Sequence, residues 1–484
     1  MIRDGKAFRS GLLDDREVWL NGERVADVTT HPAIAPAVMS TAHLYDMQHD
    51  AAWAGALVFD DPASGEPVGR TYQIPRTAAD LRARGEAIAL WQESAFGMMG
   101  RAPDFLNSMV ASLGAKAEVF GRQHADRADA ARLLYERSVQ NDIFFTHALI
   151  DPQLDRGKRR HEQPDPGVPL RIIDRTTDGL IVDGAKMVAT AAPYADEVIV
   201  WPFPPTFVEG EEDYAVVFSL PIDTPGLKVI CRSPFARGGL QQDYPLSSRF
   251  DEMDAFLVFQ EVLVPWERVL LHQDVGLMNV MYRDTRMREL TAHQTNIRLQ
   301  VKLELVYALL VRMAEAIGVD KSPAVMASLG EAVTHAETIR NAVMASEYQA
   351  QVDPENGVIY PDFTALQVGR MLGPRIYPDV VRKVKRLGAG GLMQMPASVA
   401  DFDSPIGPLL ERYYQGAGVS AREKISLFKF AWDVCGSEFG SRHDLYEMFY
   451  AGDPDALLAG MHREYPRREE HLQRFDAFRA GEGP

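Results

Sequence analysis

The stretch NIRLQVKLELVYALLVRMAEAIG, residues 296–318, constrains the fold more than any other part of this chain. Apolar residues cover so much of its helical surface that one buried face cannot hold them, so other elements must pack on it from several sides. Two further amphipathic patterns follow, PAVMASLGEAVTHAETIRNAVMASEYQA and EKISLFKFAWDVCGSEFGSRHDLYEMFY. They supply such neighbours, and the C-terminal part reads as a helical bundle.

The period of the pattern changes twice along the chain. From Ala78 to about Gln140 apolar residues recur at helical spacing, interrupted by Gly100 and Pro103. After Asp151 the segments PLRIIDRTTDGLIVDGAKMVATAAPYADEVIVWPF, YAVVFSLPIDTPGLKVICRSP and DAFLVFQEVLVPWERVLL are rich in β-branched and aromatic residues and broken by Pro and Gly. These are strands with turns at Asp178-Gly179 and Asp183-Gly184. The expected plan is a mainly helical domain over 1–150, a β domain over 151–275 and a helical bundle with a tail over 276–484. A length of 484 residues suits about three such units.

A formal net charge of −17 argues against nucleic acid or an anionic membrane surface as a partner. Two cysteines, Cys231 and Cys435, build no disulfide framework, zinc pattern or iron–sulfur spacing. No run of about 18 apolar residues is present to span a bilayer, and MIRDGKAFRSGLLDDREVWL lacks the apolar core of a signal peptide. A reducing cytoplasm is the expected setting. No G-x-G-x-x-G follows a strand, which leaves a Rossmann nicotinamide or flavin site unsupported. GLIVDGAKM lacks the spacing and the Ser/Thr of a phosphate loop, and G-x-S-x-G and H-E-x-x-H are missing.

Four features remain. Arg101 stands in GMMGRAPDFLNS, at the start of a helix. His147 stands in THALIDPQLDR, after a helical stretch. DGAKMVATAAPYADEV is a hairpin that ends in small residues around Thr190. GAGGLMQMP sets Gly388, Gly390 and Gly391 between two helices. Spacing alone favours a surface charge for Arg101, and a buried structural imidazole suits His147 as well as a ligand contact does. A threonine in a strand is commonly satisfied by its neighbour, and glycines after a helix commonly cap it.

Together with TTHPAIAPAV, LYDMQHD, YPLSSRFDEMD, VLVPWERV, GPLLERYYQGA and FAWDVCGSEFGSRHDLYEMFYAGDP, these features resemble, in order along nearly the whole chain, the 4-hydroxyphenylacetate 3-hydroxylase family. These are the oxygenase components of two-component flavin monooxygenases. The resemblance implies an α+β, acyl-CoA dehydrogenase-like fold: an N-terminal α-helical domain, a central β-barrel and a C-terminal four-helix bundle, assembled as a homotetramer. It implies reduced FAD (FADH2) from a separate NAD(P)H:flavin reductase, and O2 as co-substrate. Oxygen would pass through a C4a-hydroperoxyflavin to a phenol, ortho to its hydroxyl, with no metal. Arg101 and His147 fall on the residues that hold the phenolic oxygen. Thr190 falls on the threonine at the isoalloxazine edge, and Gly388, Gly390 and Gly391 on the loop passing the dinucleotide at a subunit contact. His293 matches a histidine near flavin and substrate; Phe439, Arg442 and His443 match more weakly.

Two departures bear on the substrate. Phe105 stands where the hydroxyphenylacetate enzymes carry a tyrosine, and the loop WPFPPTFVEGEED, with Phe203, is bulky and acidic where theirs has small hydroxyl residues. A site lacking a donor discriminates against ligands that need it. The expected substrate is therefore another small aromatic, larger than free 4-hydroxyphenylacetate or tethered to a carrier protein. Of the rivals sharing this fold, a 4-hydroxybutyryl-CoA dehydratase needs a cysteine-bound cluster that these two cysteines do not supply. An acyl-CoA dehydrogenase needs a catalytic glutamate in its usual context. A helical scaffold without catalysis would bind no flavin.

Overall fold

The computed structural model describes residues 2–235 and 240–481. Its main helices are α1 (Ala78–Ser94), α2 (Pro103–Ala115), α3 (Ala125–Asn141), α4 (Met287–Ala316), α5 (Pro323–Tyr348), α6 (Phe363–Gly388), α7 (Ala421–Cys435) and α8 (Glu438–Phe449). Among the described residues no helix is long and apolar enough to cross a membrane.

The helix that the sequence requires to be enclosed is enclosed: α4 packs against α1, α2, α5, α6 and α7. At 30 residues it is about 45 Å long. Close approach of α6 depends on glycine, since a Cβ on Gly369 would collide with the side chain of Asn296, and one on Gly373 would press Leu299 at 3.0 Å. Thr77 and Asp80 form a capping box that starts α1. That helix ends sooner than its apolar pattern suggests. Phe96 and Gly97 take φ of +52° and +66° and turn the chain. Gly97 is also pressed against α4, where a Cβ would meet the Arg298 carbonyl at 2.7 Å. Pro103 then opens α2 in the first turn, where its missing N–H costs nothing.

The strands of the two larger sheets are β1 (Glu17–Leu20), β2 (Glu23–Arg24), β3 (Phe145–Ala148), β4 (Arg171–Arg175), β5 (Gly179–Thr190), β6 (Glu197–Val200), β7 (Val216–Pro221), β8 (Leu227–Cys231), β9 (Asp254–Pro265) and β10 (Val269–His272). They form a six-stranded sheet of order β2-β1-β8-β9-β5-β4 and a four-stranded sheet of order β10-β7-β6-β3. These are two sheets over a shared core, in the place of the β-barrel that the resemblance implies. The 1–150 segment contributes β1, β2 and β3 to them. β1 and β3 join by parallel pairing, to β8 and β6, as strands arriving over long connections can.

Period-two alternation decides what each face of the smaller sheet touches. Val198, Val200, Val216 and Phe218 enter the core between the sheets. Ile199, Trp201 and Val217 face the other way, onto Leu106, Met109 and Val110 of α2 and Phe120. In β3, Phe145 takes the helix side, so His147, two residues on, faces α2 as well. Phe218 and Phe259 meet edge to face at 6.1 Å across the two sheets. Phe218→Ala is expected to cost about 3–5 kcal/mol, read as a lower midpoint in denaturant titration with an unchanged slope; a loss below about 1 kcal/mol would contradict this packing.

Candidate functional site

Arg101 sits in the turn between α1 and α2, yet only 7% of it is exposed. Its guanidinium lies between two rings, 4.0 Å from the centroid of Phe105 and 4.1 Å from that of Tyr450, with Tyr446 at 5.7 Å. The two ring centroids are 6.0 Å apart and the rings are tilted by 76°, so they flank the guanidinium at a corner, a favourable place for a cation; Nη1 donates to the Gly100 carbonyl at 3.5 Å. Nε has no partner. The backbone is fixed independently: Arg101 N donates to Glu252 Oε1 at 2.6 Å, and the Tyr450 hydroxyl donates to the Gly100 carbonyl at 2.7 Å.

His147 approaches from the sheet. Its ring stands edge-on to Phe105, with centroids 5.8 Å apart, and 6% of the residue is exposed. Neither ring nitrogen has a partner. Burial, reinforced by the nearby Arg101 charge, pushes its pKa down to about 3. At neutral pH it is a neutral imidazole with one nitrogen free to accept a proton and the other to donate one.

A second cluster lies alongside. Thr190, the last residue of β5, donates to Asp254 Oδ1 at 2.8 Å, and its carbonyl accepts from the Thr146 hydroxyl at 2.7 Å. Asp254 opens β9 and accepts a two-pronged contact from Arg442 on α8, at 2.7 and 2.6 Å, and another from Arg232 at 2.9 Å. Burial alone would raise the Asp254 pKa, but Arg442 and then Arg232 more than offset it and hold the carboxyl well below its usual range. Glu252, two residues earlier, is raised by burial, with Arg442 opposing. On α8, Arg442, Tyr446 and Tyr450 follow at intervals of four and share one face. His443 and Glu447 form the neighbouring stripe, toward α4. There Glu447 pairs with Arg298 at 2.5 and 2.6 Å and with Lys302 at 2.7 Å, and Lys302 also donates to His443 Nδ1 at 2.8 Å. Burial lowers Lys302 to about 8, with Glu447 partly compensating. His443 is lowered well below 6.5, first by burial and then by Lys302, so its Nε2 carries the proton as a donor without a partner.

Buried polar groups are normally paired. Here Arg101 Nε, both His147 nitrogens, Tyr446 Oη and His443 Nε2 lack hydrogen-bond partners, while Glu252 Oε2 and Arg442 Nη1 face each other as an ion pair at 3.7 Å. Such a concentration fits a polar, partly anionic aromatic ligand. A larger open cavity of about 760 Å³, between residues 20–43 and Tyr244–Phe250, touches neither Arg101 nor His147; the unsatisfied chemistry is elsewhere.

The structure therefore brings Arg101, Phe105, His147 and Thr190 into one region. Phe203 joins it at the rim: its N–H donates to the Leu149 carbonyl at 3.1 Å, and its ring lies 5.6 Å from Tyr282 and against Gly452. His293 points around α4 in another direction, with Nε2 2.9 Å from Glu347 and its ring against Gly85. The next residue, Gln294, faces the site through Asp104 and Tyr450. Gly388, Gly390 and Gly391 close the end of α6. A Cβ at Gly388 would strike Leu392 and one at Gly391 would strike Phe428, while Gly390 faces open space. Reading the sequence missed Glu252, Asp254, Tyr446 and Tyr450. Glu252 and Asp254, two of the three acids in DEMD, look like ordinary charges before a strand, and only the four-residue spacing after Arg442 hinted at the tyrosines.

Two consequences are measurable. Between about pH 6.5 and 3 the unfolded chain binds a proton at His147 that the folded chain refuses. Stability therefore falls as pH drops through that window, by up to about 1.4 kcal/mol per unit from this group, and His147→Gln should flatten the slope in denaturant titrations from pH 7 to 4; an unaltered slope would refute it. Glu447→Gln leaves Arg298 and Lys302 buried without a counter-charge. It is expected to cost about 3–5 kcal/mol, and a melting temperature equal to wild type would contradict that.

The family model described as 4-hydroxyphenylacetate 3-hydroxylase N terminal matches residues 4–271, and its C-terminal counterpart matches 278–479. The oxygenase component of 4-hydroxyphenylacetate 3-monooxygenase from Thermus thermophilus is 39% identical over 99% of this chain and 97% of its own. From Streptomyces globisporus, a monooxygenase of (3S)-3-amino-3-(3-chloro-4-hydroxyphenyl)propanoyl-[peptidyl-carrier protein] is 36% identical over 93% of this chain and 85% of its own. A crystal structure of the oxygenase component of 4-hydroxyphenylacetate 3-monooxygenase complexed with FAD superimposes with a TM-score of 0.94, at 38% identity and 98% coverage of both chains. A 4-hydroxybutyryl-CoA dehydratase, 23% identical, shares the fold with a TM-score of 0.88. The chain belongs to the 4-hydroxyphenylacetate 3-hydroxylase family, and it is a flavin-dependent aromatic monooxygenase of acyl-CoA dehydrogenase-like fold.

Proposed function

We propose that this chain is the oxygenase component of a two-component system that hydroxylates a phenol ortho to its hydroxyl group. Reduced FAD, delivered by a separate NAD(P)H:flavin reductase, activates O2 when bound and supplies the oxygen atom. The observation that carries this reading is a buried guanidinium flanked by the rings of Phe105 and Tyr450, its Nε without a partner, beside a neutral imidazole with both nitrogens free.

The chain's own residues have separable tasks. Arg101 holds the phenolic oxygen and favours the anionic form. His147, neutral at pH 7, accepts a hydrogen bond from the phenol on one ring nitrogen and relays its proton through the other. The resulting electron-rich ring is most reactive ortho to oxygen. Phe105, Tyr446 and Tyr450 exclude water from around the charge, so that activated oxygen meets substrate in place of solvent. Thr190 would lie at the flavin edge, with Arg442 and the donor Nε2 of His443 nearby to receive its polar atoms. Gly388, Gly390 and Gly391, with His293, would serve the dinucleotide at a contact between copies in a homotetramer, in the cytoplasm.

The substrate we propose is a phenol larger than 4-hydroxyphenylacetate or tethered to a carrier protein. Phe105 and the bulky 201–213 loop support this, and the Streptomyces globisporus relative acts on a carrier-bound phenol. Incubation with a flavin reductase, NADH, FAD and a panel of free and carrier-bound phenols should give catechols, fastest from the bound or larger members. Equal or better turnover of free 4-hydroxyphenylacetate would remove this substrate assignment. Arg101→Ala should lower hydroxylation by at least ~10²-fold while reduced flavin continues to yield hydrogen peroxide. If product per NADH stayed at the wild-type ratio, Arg101 would have no part in the chemistry.

A further inference from the structure

We propose that Tyr446 is a specificity-determining residue of this site, its hydroxyl donating a hydrogen bond to the oxygen substituent of the aromatic ring held at Arg101. The inference rests on the reading of the Arg101–His147 region as a phenol chamber, and extends it to a residue outside the pattern that led there.

Three rings surround the Arg101 guanidinium: Phe105, Tyr450 and Tyr446. Phe105 has no polar atom to offer. The Tyr450 hydroxyl is committed, donating to the Gly100 carbonyl at 2.7 Å with Gln294 Oε1 at 3.3 Å. The Tyr446 hydroxyl is buried with no partner at all. A buried hydroxyl is commonly matched by a partner, and one left free beside a cation is suited to a ligand that brings its own acceptor. A phenolate or phenol oxygen at the edge of Arg101 is such an acceptor.

The ring is also held as a positioned donor should be. Arg442 stacks over it at 4.5 Å, itself anchored two-pronged by Asp254, while Tyr450 meets it at 5.1 Å and His443 at 6.1 Å. Its hydroxyl occupies space that Gly100 leaves clear: a Cβ there would lie 2.6 Å from the oxygen. Gly100 is thus needed for closeness to Tyr446. Burial raises the Tyr446 phenol well above 10, with Arg101 opposing, so the group remains a donor through the neutral range. A third donor at the substrate oxygen, brought from α8 in place of α2, offsets what Phe105 lacks. It approaches from a different direction, which gives the chamber a different preference among phenols.

The test uses the full-length protein with photoreduced FAD under anaerobic conditions, and two probes that differ by one hydroxyl, 4-hydroxyphenylacetate and phenylacetate. Tyr446→Phe is expected to raise the dissociation constant of 4-hydroxyphenylacetate about tenfold, the usual scale for one hydrogen bond to a charged or polar group. Phenylacetate should be held within twofold of wild type, with melting temperature and affinity for reduced FAD unchanged. Adding Phe105→Tyr to Tyr446→Phe should recover most of the lost affinity. Equal weakening of both probes, or a change below twofold for 4-hydroxyphenylacetate, would overturn the role of Tyr446. A wild-type protein that held the two probes equally would instead strike the phenol reading of the chamber, and this inference with it.

Discussion

The contact between Asp254 and Arg442 joins the larger sheet to the helical bundle beside the proposed substrate site. Asp254 opens a strand of the larger sheet and Arg442 belongs to the helical bundle. Two parallel N–H···O bonds fix both distance and angle, which a single contact between flat groups would not. Everything on either side is referenced to that pair. Thr190 is oriented by the same carboxylate, Arg101 by Glu252 two residues away, and Tyr446 by the face of Arg442. A site shared between a sheet and a bundle needs such a pin, because each half is rigid on its own account while their relation is set only by what crosses between them.

The pin works because charge is conserved locally inside an apolar surround. Behind Arg442, Glu447 takes the charges of Arg298 and Lys302, and holds its own carboxyl down at about 2 although burial works against it. Lys302 then gives a hydrogen bond to His443, fixing which imidazole nitrogen bears the proton. This chain of contacts runs from the core of α4 to the edge of the ligand region without an exposed group. Buried ion pairs add little net stability compared with apolar packing. Their use here is orientation: Arg442 is held by Asp254 and His443 by Lys302.

Much of the architecture was legible from pattern. The enclosed α4, the switch to β-branched segments after Asp151 and the return to helix all follow from spacing and hydropathy, and each has a structural counterpart. The division at 150 is less clean, because β1 and β3 leave the helical segment to pair with strands distant in sequence, and no local signal announces a parallel partner. Arg101 and His147 were visible as residues, but their environment was not. Burial of Arg101 comes from Phe105, four residues on, and from Tyr450, nearly 350 residues away. The inward face of His147 follows from the register of β3 against β6, which a four-residue strand does not specify alone. Glu252 and Asp254 were illegible for the same reason: what distinguishes them from surface acids is that a helix from the other end of the chain brings Arg442 to them.

The rim is built separately from the chamber, which bears on how one scaffold can serve different aromatic substrates. The loop carrying Phe203 is tied down by its own network, in which Arg160 contacts Asp151 at 2.7 Å and the buried Glu211 at 3.5 Å, while Asn279 exchanges two hydrogen bonds with the backbone of Phe207. None of these groups touches Arg101, Glu252, Asp254 or Arg442. Residues in this loop can therefore change in bulk and charge while the guanidinium and imidazole keep their places, since energetic effects of sites without shared partners are close to additive. Phe105 is the exception. It lies on the Arg101 face and against the His147 edge at once, so a change there alters binding and chemistry together. Of the two departures that the resemblance leads one to expect, Phe105 is thus the one that, on the proposed function, ties specificity to the reaction, and the donor proposed to compensate for it, on Tyr446, comes from the same cluster of rings.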